Sequence, residues 1–407
     1  MFHSYRGTVK VLQLAFVNFK PNSYILVEGT PGIDRFFIIQ SGKVSCYHET
    51  QIPGAQPSML GPGDFVGVIP CMSGHSQSEN VMALTDVVAI MVRRDQYPEL
   101  IMRNTPVAMK IVRAFTKEMR DLNDNLTKLT LKKTVAESPE QLFSVAQYYD
   151  RGGFSDIAIY AYYQYIKACP QGVHIEDAKK KFVQLKGRTH AVYFESNGDL
   201  TRDYPKNTMI FSENQYGGDM FIIQEGSVKI TKVVDGEEVT LAMLKKGDMF
   251  GEMALLENKP RSASAIAHDA CRLMVVNREN FDQMVATQPQ MISRLTTMLA
   301  DRLWSMYRQL ANTSLQQPRE KMIDMLALQI EKQKISVAKG SAYQTDLTPE
   351  DIVNLCGITQ HDKAQAISEL YNDPNVKLVG GKVRIPDIQE LIKQAAFYRK
   401  QNTKREK

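Results

Sequence analysis

Two kinds of hydrophobic pattern alternate along this chain. Short runs of β-branched and aromatic residues, broken by Gly, Asp and Asn, predict strands at 37–39, 44–47, 87–92, 220–223, 228–232 and 272–276. Tight turns are expected at Gly42, Gly63, Gly226, Gly236 and Gly247. Longer segments instead carry apolar residues every three or four positions. Val107, Ile111, Phe115, Met119, Leu122, Leu126 and Leu129 make one such stripe. Ile292, Leu295, Leu299, Leu303, Met306 and Leu310 make another, so two long amphipathic helices are expected. Stripes of this length commonly pair, which predicts a homodimer or one intramolecular pairing.

The strand segments repeat. Phe37-Ile38-Ile39-Gln40-Ser41-Gly42-Lys43-Val44 is echoed by Phe221-Ile222-Ile223-Gln224-Glu225-Gly226-Ser227-Val228. Gly63-Asp64-Phe65-Val66-Gly67 is echoed by Gly247-Asp248-Met249-Phe250-Gly251 at the same offset of 184 residues. Two copies of one domain are therefore expected, at 1–130 and 189–315, each a roll followed by a long helix. Short strands with regular turns point to an antiparallel jelly roll.

Between the copies, 134–188 reads as a helical insert. Ser138 and Pro139 are placed to open its first helix, with Gln141 completing a capping box. Gly152-Gly153 turns into a second helix with Ala158, Ala161, Tyr162 and Tyr165 on one face, and a third helix is expected from about 175 to 185. Alanine and tyrosine at the close crossing, followed by Pro170, resemble a single tetratricopeptide repeat. The insert is then a spacer or a surface for a protein partner.

From 318 to 398 the pattern changes again. A helix at 321–331 is followed by Thr348-Pro349, which opens a short helix ended by Gly357, and Thr359 is placed to cap the next helix, 360–370. Two short helices around a glycine read as helix-turn-helix. Lys377-Leu378-Val379 and Lys382-Val383-Arg384-Ile385, joined by Gly380-Gly381, read as a hairpin wing. Residues 399–407 form a basic tail. The expected architecture is a multidomain α+β chain: two antiparallel β-roll domains with long helices, a helical insert and a winged helix.

Bulk properties narrow the function. A chain of 407 residues with 43% hydrophobic content has room for several cores. A formal charge of +5 permits a nucleic-acid partner without demanding one. The five cysteines are scattered without metal spacing and read as reduced, cytoplasmic residues. No stretch approaches a membrane span. P-loop, G-x-S-x-G and H-E-x-x-H motifs are missing, as is any clustered metal set, so neither an enzyme nor a metal site is expected.

The chemistry concentrates in Gly247-Asp248-Met249-Phe250-Gly251-Glu252-Met253-Ala254-Leu255-Leu256-Glu257-Asn258-Lys259-Pro260-Arg261-Ser262-Ala263. It offers one carboxylate and one guanidinium nine residues apart, around an apolar run long enough for a helical turn. Free N–H groups at a helix start suit an anion. Arg261 can grip phosphate oxygens with a two-pronged bond, and Glu252 can accept from hydroxyls. A ligand with one phosphate and a sugar fits that pair. The first copy lacks both groups, with Val68 in the place of Glu252 and Gln77 in the place of Arg261. It reads as a scaffold or dimerisation module.

This stretch resembles the phosphate-binding cassette of cyclic-nucleotide-binding domains, as in the Crp/Fnr regulators and protein kinase A regulatory subunits. Phe-Gly-Glu-x-Ala-Leu-Leu and Pro-Arg-Ser-Ala both stand complete here. The resemblance implies that Glu252 takes the ribose 2′-hydroxyl and Arg261 the cyclic phosphate. Ser262 and the amides near Ala254 and Leu255 would add donors, with Gly251, Met253 and Ala263 completing the ligand site. It further implies that the second long helix forms a dimer axis and meets the base near Trp304, Ser305, Met306 and Tyr307. The ligand is expected to be cAMP rather than cGMP.

The C-terminal unit resembles the winged helix-turn-helix of the same family, with Thr359, Gln360, His361, Lys363, Gln365, Lys382 and Arg384 as candidate DNA contacts. Here it departs from the family's Ser-Arg-Glu-Thr-Val-x-Arg: Gln360, His361 and Gln365 occupy the second helix and both arginines are gone. Gln can read adenine edges, but the lost arginines remove electrostatic grip. The expected function is a dimeric, cyclic-nucleotide-responsive transcription regulator that binds double-stranded DNA. The alternative is a signalling adaptor that contacts a protein partner.

Overall fold

The computed structural model describes residues 14–48, 57–131, 138–193, 200–234 and 236–405. Among them, one compact unit holds the first roll up to residue 114 together with 282–304. A second holds 115–281 and 305 onward.

The first unit's roll has two four-stranded antiparallel sheets. Their spatial orders are Ala15–Phe19, Val87–Arg93, Arg35–Ser41, Phe65–Val66 and Tyr24–Leu26, Asn80–Ala83, Val44–Tyr47, Ser58–Leu60. The second unit's roll repeats them strand for strand. Its sheets run Thr201–Tyr204, Cys271–Val276, Met220–Glu225, Met249–Phe250 and Met209–Phe211, Ser264–Ala267, Ser227–Val234, Glu237–Lys245. Strand alternation sends Phe221, Ile223, Val228, Leu273 and Val275 into one apolar core between these sheets.

The repeated glycine has a steric cause. Gly42 and Gly226 have φ of 88° and 83°. A Cβ there would stand 2.3 Å from the Asp86 carbonyl oxygen and 2.2 Å from the Ala270 carbonyl oxygen. Only glycine lets the neighbouring backbone pass so close.

The long helices run Thr105–Leu131 and Pro289–Asn312. Most of each stripe is buried: Ile111, Phe115, Met119, Leu122, Leu126, Ile292, Leu295, Leu299, Leu303 and Leu310 are at most 5% exposed, whereas Leu129 is 37% exposed.

The insert's helices are Gln141–Arg151, Ser155–Ala168 and Ile175–Lys186. The expected Ser138 cap bond is present, its Oγ accepting from the Glu140 amide at 3.3 Å, but the regular helix starts later than expected, at Gln141. The Gln141, Leu142 and Phe143 amides donate three residues back, to the carbonyls of Ser138, Pro139 and Glu140. That tight first turn leaves Pro139 outside the helix, while the Glu140 carboxylate accepts from Tyr165 Oη at 2.7 Å. Leu142, Val145, Ala146, Tyr149, Ala158 and Tyr162 pack into a cluster that includes Met209, Val233 and Ile266 of the second roll. The insert's apolar face is thus a layer of the second unit rather than a free spacer.

Below this layer lies Glu213, 1% exposed, whose Oε1 accepts from the Val233 amide at 2.9 Å and the Ser264 hydroxyl at 3.3 Å. Burial pushes its carboxyl up to about 7, against the pull of these donors and Lys232. A raised carboxyl stabilises the fold fully below its unfolded value, and that contribution is lost as pH rises through the folded value. We expect stability to fall by roughly 3 kcal/mol between about pH 4.5 and pH 7 from this group alone. Glu213→Gln should flatten that slope in denaturant titrations at several pH values; an unchanged slope contradicts the assignment.

The C-terminal part begins with helix Pro318–Lys332. Helices Pro349–Leu355 and Gln360–Tyr371 flank Gly357, and strands Lys377–Val379 and Lys382–Ile385 pair antiparallel, with Tyr343–Gln344 on the other side of the latter. Thr348 and Asp351 form a reciprocal capping box at the first of these helices. The last helix is Ile388–Arg405.

Candidate functional site

The second roll delivers its cassette from strand Met249–Phe250, which pairs with Phe221 and Ile222. Gly251 (φ 82°) turns the chain into the helix Glu252–Glu257, and Asn258 (φ 55°) turns it out again. A Cβ on Gly251 would meet Arg261 Nη1 at 2.8 Å and the Asp219 carbonyl oxygen at 3.1 Å, so the arginine and the glycine require each other. Arg261 is fixed by backbone on both sides: its amide donates to the Gln215 carbonyl at 2.9 Å, and its carbonyl accepts from the Asn214 amide at 2.8 Å.

The Arg261 guanidinium is 5% exposed. Nη1 donates to the Gly251 carbonyl at 2.7 Å and Nη2 to the Asp219 carbonyl at 2.6 Å. Its carbon lies 4.2 Å over the Phe211 ring, a cation–π contact. Nε is buried with no hydrogen-bond partner. Burial pushes the guanidinium down to about 10, with Asp219 and Glu252 acting in the opposite direction. Among the described residues its hydrogen bonds go to carbonyls and to no carboxylate. A dry cation held this way costs free energy unless an anion joins it.

Glu252, at the first position of the cassette helix, is 1% exposed. Met253, Ala254, Leu255 and Ala263 are buried, and the Ser262 hydroxyl, half-buried, donates to Met253 Sδ at 3.7 Å. The cassette's far end is gripped from two places. Arg278 donates to the Leu255 carbonyl. Arg120, from the first long helix, pairs its Nε with Glu257 Oε2 at 3.0 Å and donates to the Pro260 carbonyl at 3.3 Å.

Sequence reasoning missed Arg120, although a signal was present. Thr116, Arg120, Asn123 and Thr127 recur at steps of four, three and four beside the apolar stripe, and all four are buried. A polar stripe at helical spacing marks a second contact face. Lys232 to Asp124 at 2.9 Å and Tyr307 Oη to Glu118 at 2.5 Å tie the same stretch of helix to the second unit.

Of the expected base contacts, the Trp304 ring stacks on His75 within the first unit at 3.7 Å and 12°. The Tyr307 hydroxyl is engaged by Glu118, and Ser305 and Met306 are buried.

In the first copy, Val68 and Gln77 are both buried, and Gln77 Nε2 donates to the Glu79 carbonyl at 2.7 Å. The Arg94 guanidinium lies against Gly74 and donates to the Cys71 carbonyl. The His75 ring meets Asp301 at 2.8 Å. The unit's own side chains thus fill this copy's counterpart of the cassette.

In the C-terminal unit, His361, Gln365 and Arg384 are exposed and Lys363 is half-buried. Thr359 Oγ1 donates to Asp362 at 3.0 Å, Gln365 to Glu369 at 2.9 Å and Lys382 to Asp346 at 3.4 Å. The side chain of Gln360 lies outside the described residues. Among the described residues no helix is long and apolar enough to cross a membrane, and no metal-holding cluster occurs.

Comparison with known proteins matches two segments, 16–104 and 201–288, to the cyclic nucleotide-binding domain. The two matched segments are the two copies of the internal repeat. A CRP-like cAMP-activated global transcriptional regulator of Mycobacterium tuberculosis is 29% identical over 196 residues, 47% of this chain and 87% of the relative. The cyclic AMP receptor protein of Thermus thermophilus is 27% identical over 197 residues, 48% of this chain and 88% of the relative. A solved CRP/FNR-family transcriptional regulator of Thermus thermophilus matches with a TM-score of 0.39 and 20% identity, covering 48% of this chain and 98% of that one.

Proposed function

We propose that this chain is a cyclic-nucleotide-responsive transcription regulator whose second roll binds one cyclic nucleotide monophosphate, cAMP in preference to cGMP. The carrying observation is the Arg261 guanidinium, dry, bonded to two carbonyls and lacking a partner at Nε. A phosphate satisfies such a group with a charge-assisted, two-pronged bond. Glu252, one residue beyond Gly251, takes the sugar hydroxyl. Gly251, Met253, Ala254, Leu255, Ser262 and Ala263 shape the remainder of the site. Nucleotide binding shifts the population of states available to the helices around it.

The unit is one chain in this reading. The first long helix reaches the cassette through Arg120 of the same chain. The first roll serves as scaffold.

The C-terminal helices and hairpin then present Thr359, Gln360, His361, Lys363, Gln365, Lys382 and Arg384 to DNA. Fluorescence anisotropy with labelled duplex DNA tests this. About four phosphate contacts predict roughly 100-fold weaker binding on going from about 50 to about 200 mM salt, with tighter binding when cAMP is present. Nucleotide binding without any DNA response would favour the adaptor reading instead. The acids at Asp346, Asp362 and Glu369 beside the candidate contacts give that second reading its support.

A further inference from the structure

A cavity of about 270 Å³ opens between the insert and the loop 212–217 of the second roll, away from the cassette. Four tyrosines, Tyr160, Tyr163, Tyr193 and Tyr216, dominate its lining. Tyr160 and Tyr193 stack at 5.9 Å and 10°, and Tyr163 meets Tyr193 edge-on at 4.8 Å. The Tyr193 hydroxyl is buried and has no hydrogen-bond partner. Lys167 stands at the cavity with its Nζ 5.4 Å from the Tyr163 ring centre, and among the described residues the lining contains no carboxylate.

These features select a ligand class. Ring faces and edges favour a planar aromatic guest. An orphaned buried hydroxyl calls for one hydrogen-bonding group. One cation without a facing acid favours a single negative charge. The volume lies just below the range of about 300–1,000 Å³ that holds drug-sized molecules, so one ring, or two fused rings, fits.

We propose that this cavity is a binding site for a small planar aromatic monoanion, separate from the cassette. No residue of 251–263 lines it, so the proposal stands or falls apart from cyclic-nucleotide binding. Gln215 does connect the two places: its Oε1 accepts from Tyr160 Oη at 3.4 Å and its carbonyl accepts from the Arg261 amide.

Salicylate is a suitable probe, with benzyl alcohol as the uncharged control. The full-length chain, free of nucleotide, is titrated calorimetrically and followed by saturation-transfer NMR. One equivalent of salicylate should bind with a dissociation constant of about a millimolar or tighter. Tyr193→Phe should weaken it about fivefold or more by removing the hydroxyl alone. Lys167→Met, at an exposed position, should weaken it about threefold to fivefold. Benzyl alcohol should bind more weakly than salicylate. Melting temperatures of both variants check that the fold survives. Absence of saturable binding, full-strength binding in either variant, or equal binding of benzyl alcohol overturns the proposal.

Discussion

Arg261→Ala should weaken cyclic-nucleotide binding by about 2–5 kcal/mol, or roughly 30- to several thousand-fold, while leaving the melting temperature almost unchanged. The affinity loss follows from removing the charged donor from a phosphate that is itself mostly dry. The small stability effect follows from two opposing changes. The variant loses hydrogen bonds to the Gly251 and Asp219 carbonyls and the stacking on Phe211. It also loses a buried cation whose desolvation is severe enough to push its pKa down to about 10. Arg261→Lys should recover only part of the affinity, because an ammonium cannot hold two phosphate oxygens in one plane. Titration calorimetry with cAMP reads the first effect and differential scanning calorimetry the second. A variant that lost stability and affinity together would make Arg261 a structural residue.

The second large effect is expected at Asp324, which is 1% exposed. Its Oδ1 accepts from Arg308 at 3.3 Å and Arg399 at 2.6 Å, and its Oδ2 from Asn312 at 3.0 Å. Three helices meet there: the end of the second long helix, Pro318–Lys332 and Ile388–Arg405. Asp324→Ala would remove the carboxylate that Arg308 and Arg399 share, leaving Glu331, which already pairs with Arg308 at 3.2 Å and Arg399 at 3.8 Å, facing both. Removing one partner of such a buried cluster costs about 3–5 kcal/mol. Asp324→Asn keeps part of the hydrogen bonding and should cost less. Because several domains unfold, the loss should appear as an earlier C-terminal transition in denaturant titration, not as a uniform shift. Burial acts to raise the Asp324 carboxyl, but Arg308 and Arg399 outweigh it and hold it below the usual range. A depressed carboxyl stabilises the fold above its unfolded value of about 3.8 and loses that contribution as pH falls through the folded value. The same transition should therefore weaken in acid below about pH 4.

The helices and strands were readable because their signals are local. The stripe from Val107 to Leu129 falls within Thr105–Leu131, and the expected turn glycines at 42, 63, 226, 236 and 247 all have positive φ. The repeat was readable because the steric demand that keeps Gly42 also keeps Gly226. Local patterning placed the Ser138 cap bond to the Glu140 amide but set the helix start too early, since the regular helix begins at Gln141. It was silent about the lodging of Arg120 against Glu257, a contact between residues 137 positions apart. It was also silent about the stack of Trp304 on His75, which brings together residues far apart in sequence. The cassette's turn at Gly251 and its short helix could be read from one short segment. What surrounds it comes from non-local packing that no window of sequence encodes.

Calorimetric titration of the full-length chain with cAMP tests the central claim most directly, because stoichiometry counts functional cassettes. One equivalent per chain is expected for the wild type and for Gln77→Ala, with binding sharply reduced in Arg261→Ala. Two equivalents per chain, or none, or an Arg261→Ala variant that binds as tightly as the wild type, would contradict a single anion site built around that buried guanidinium.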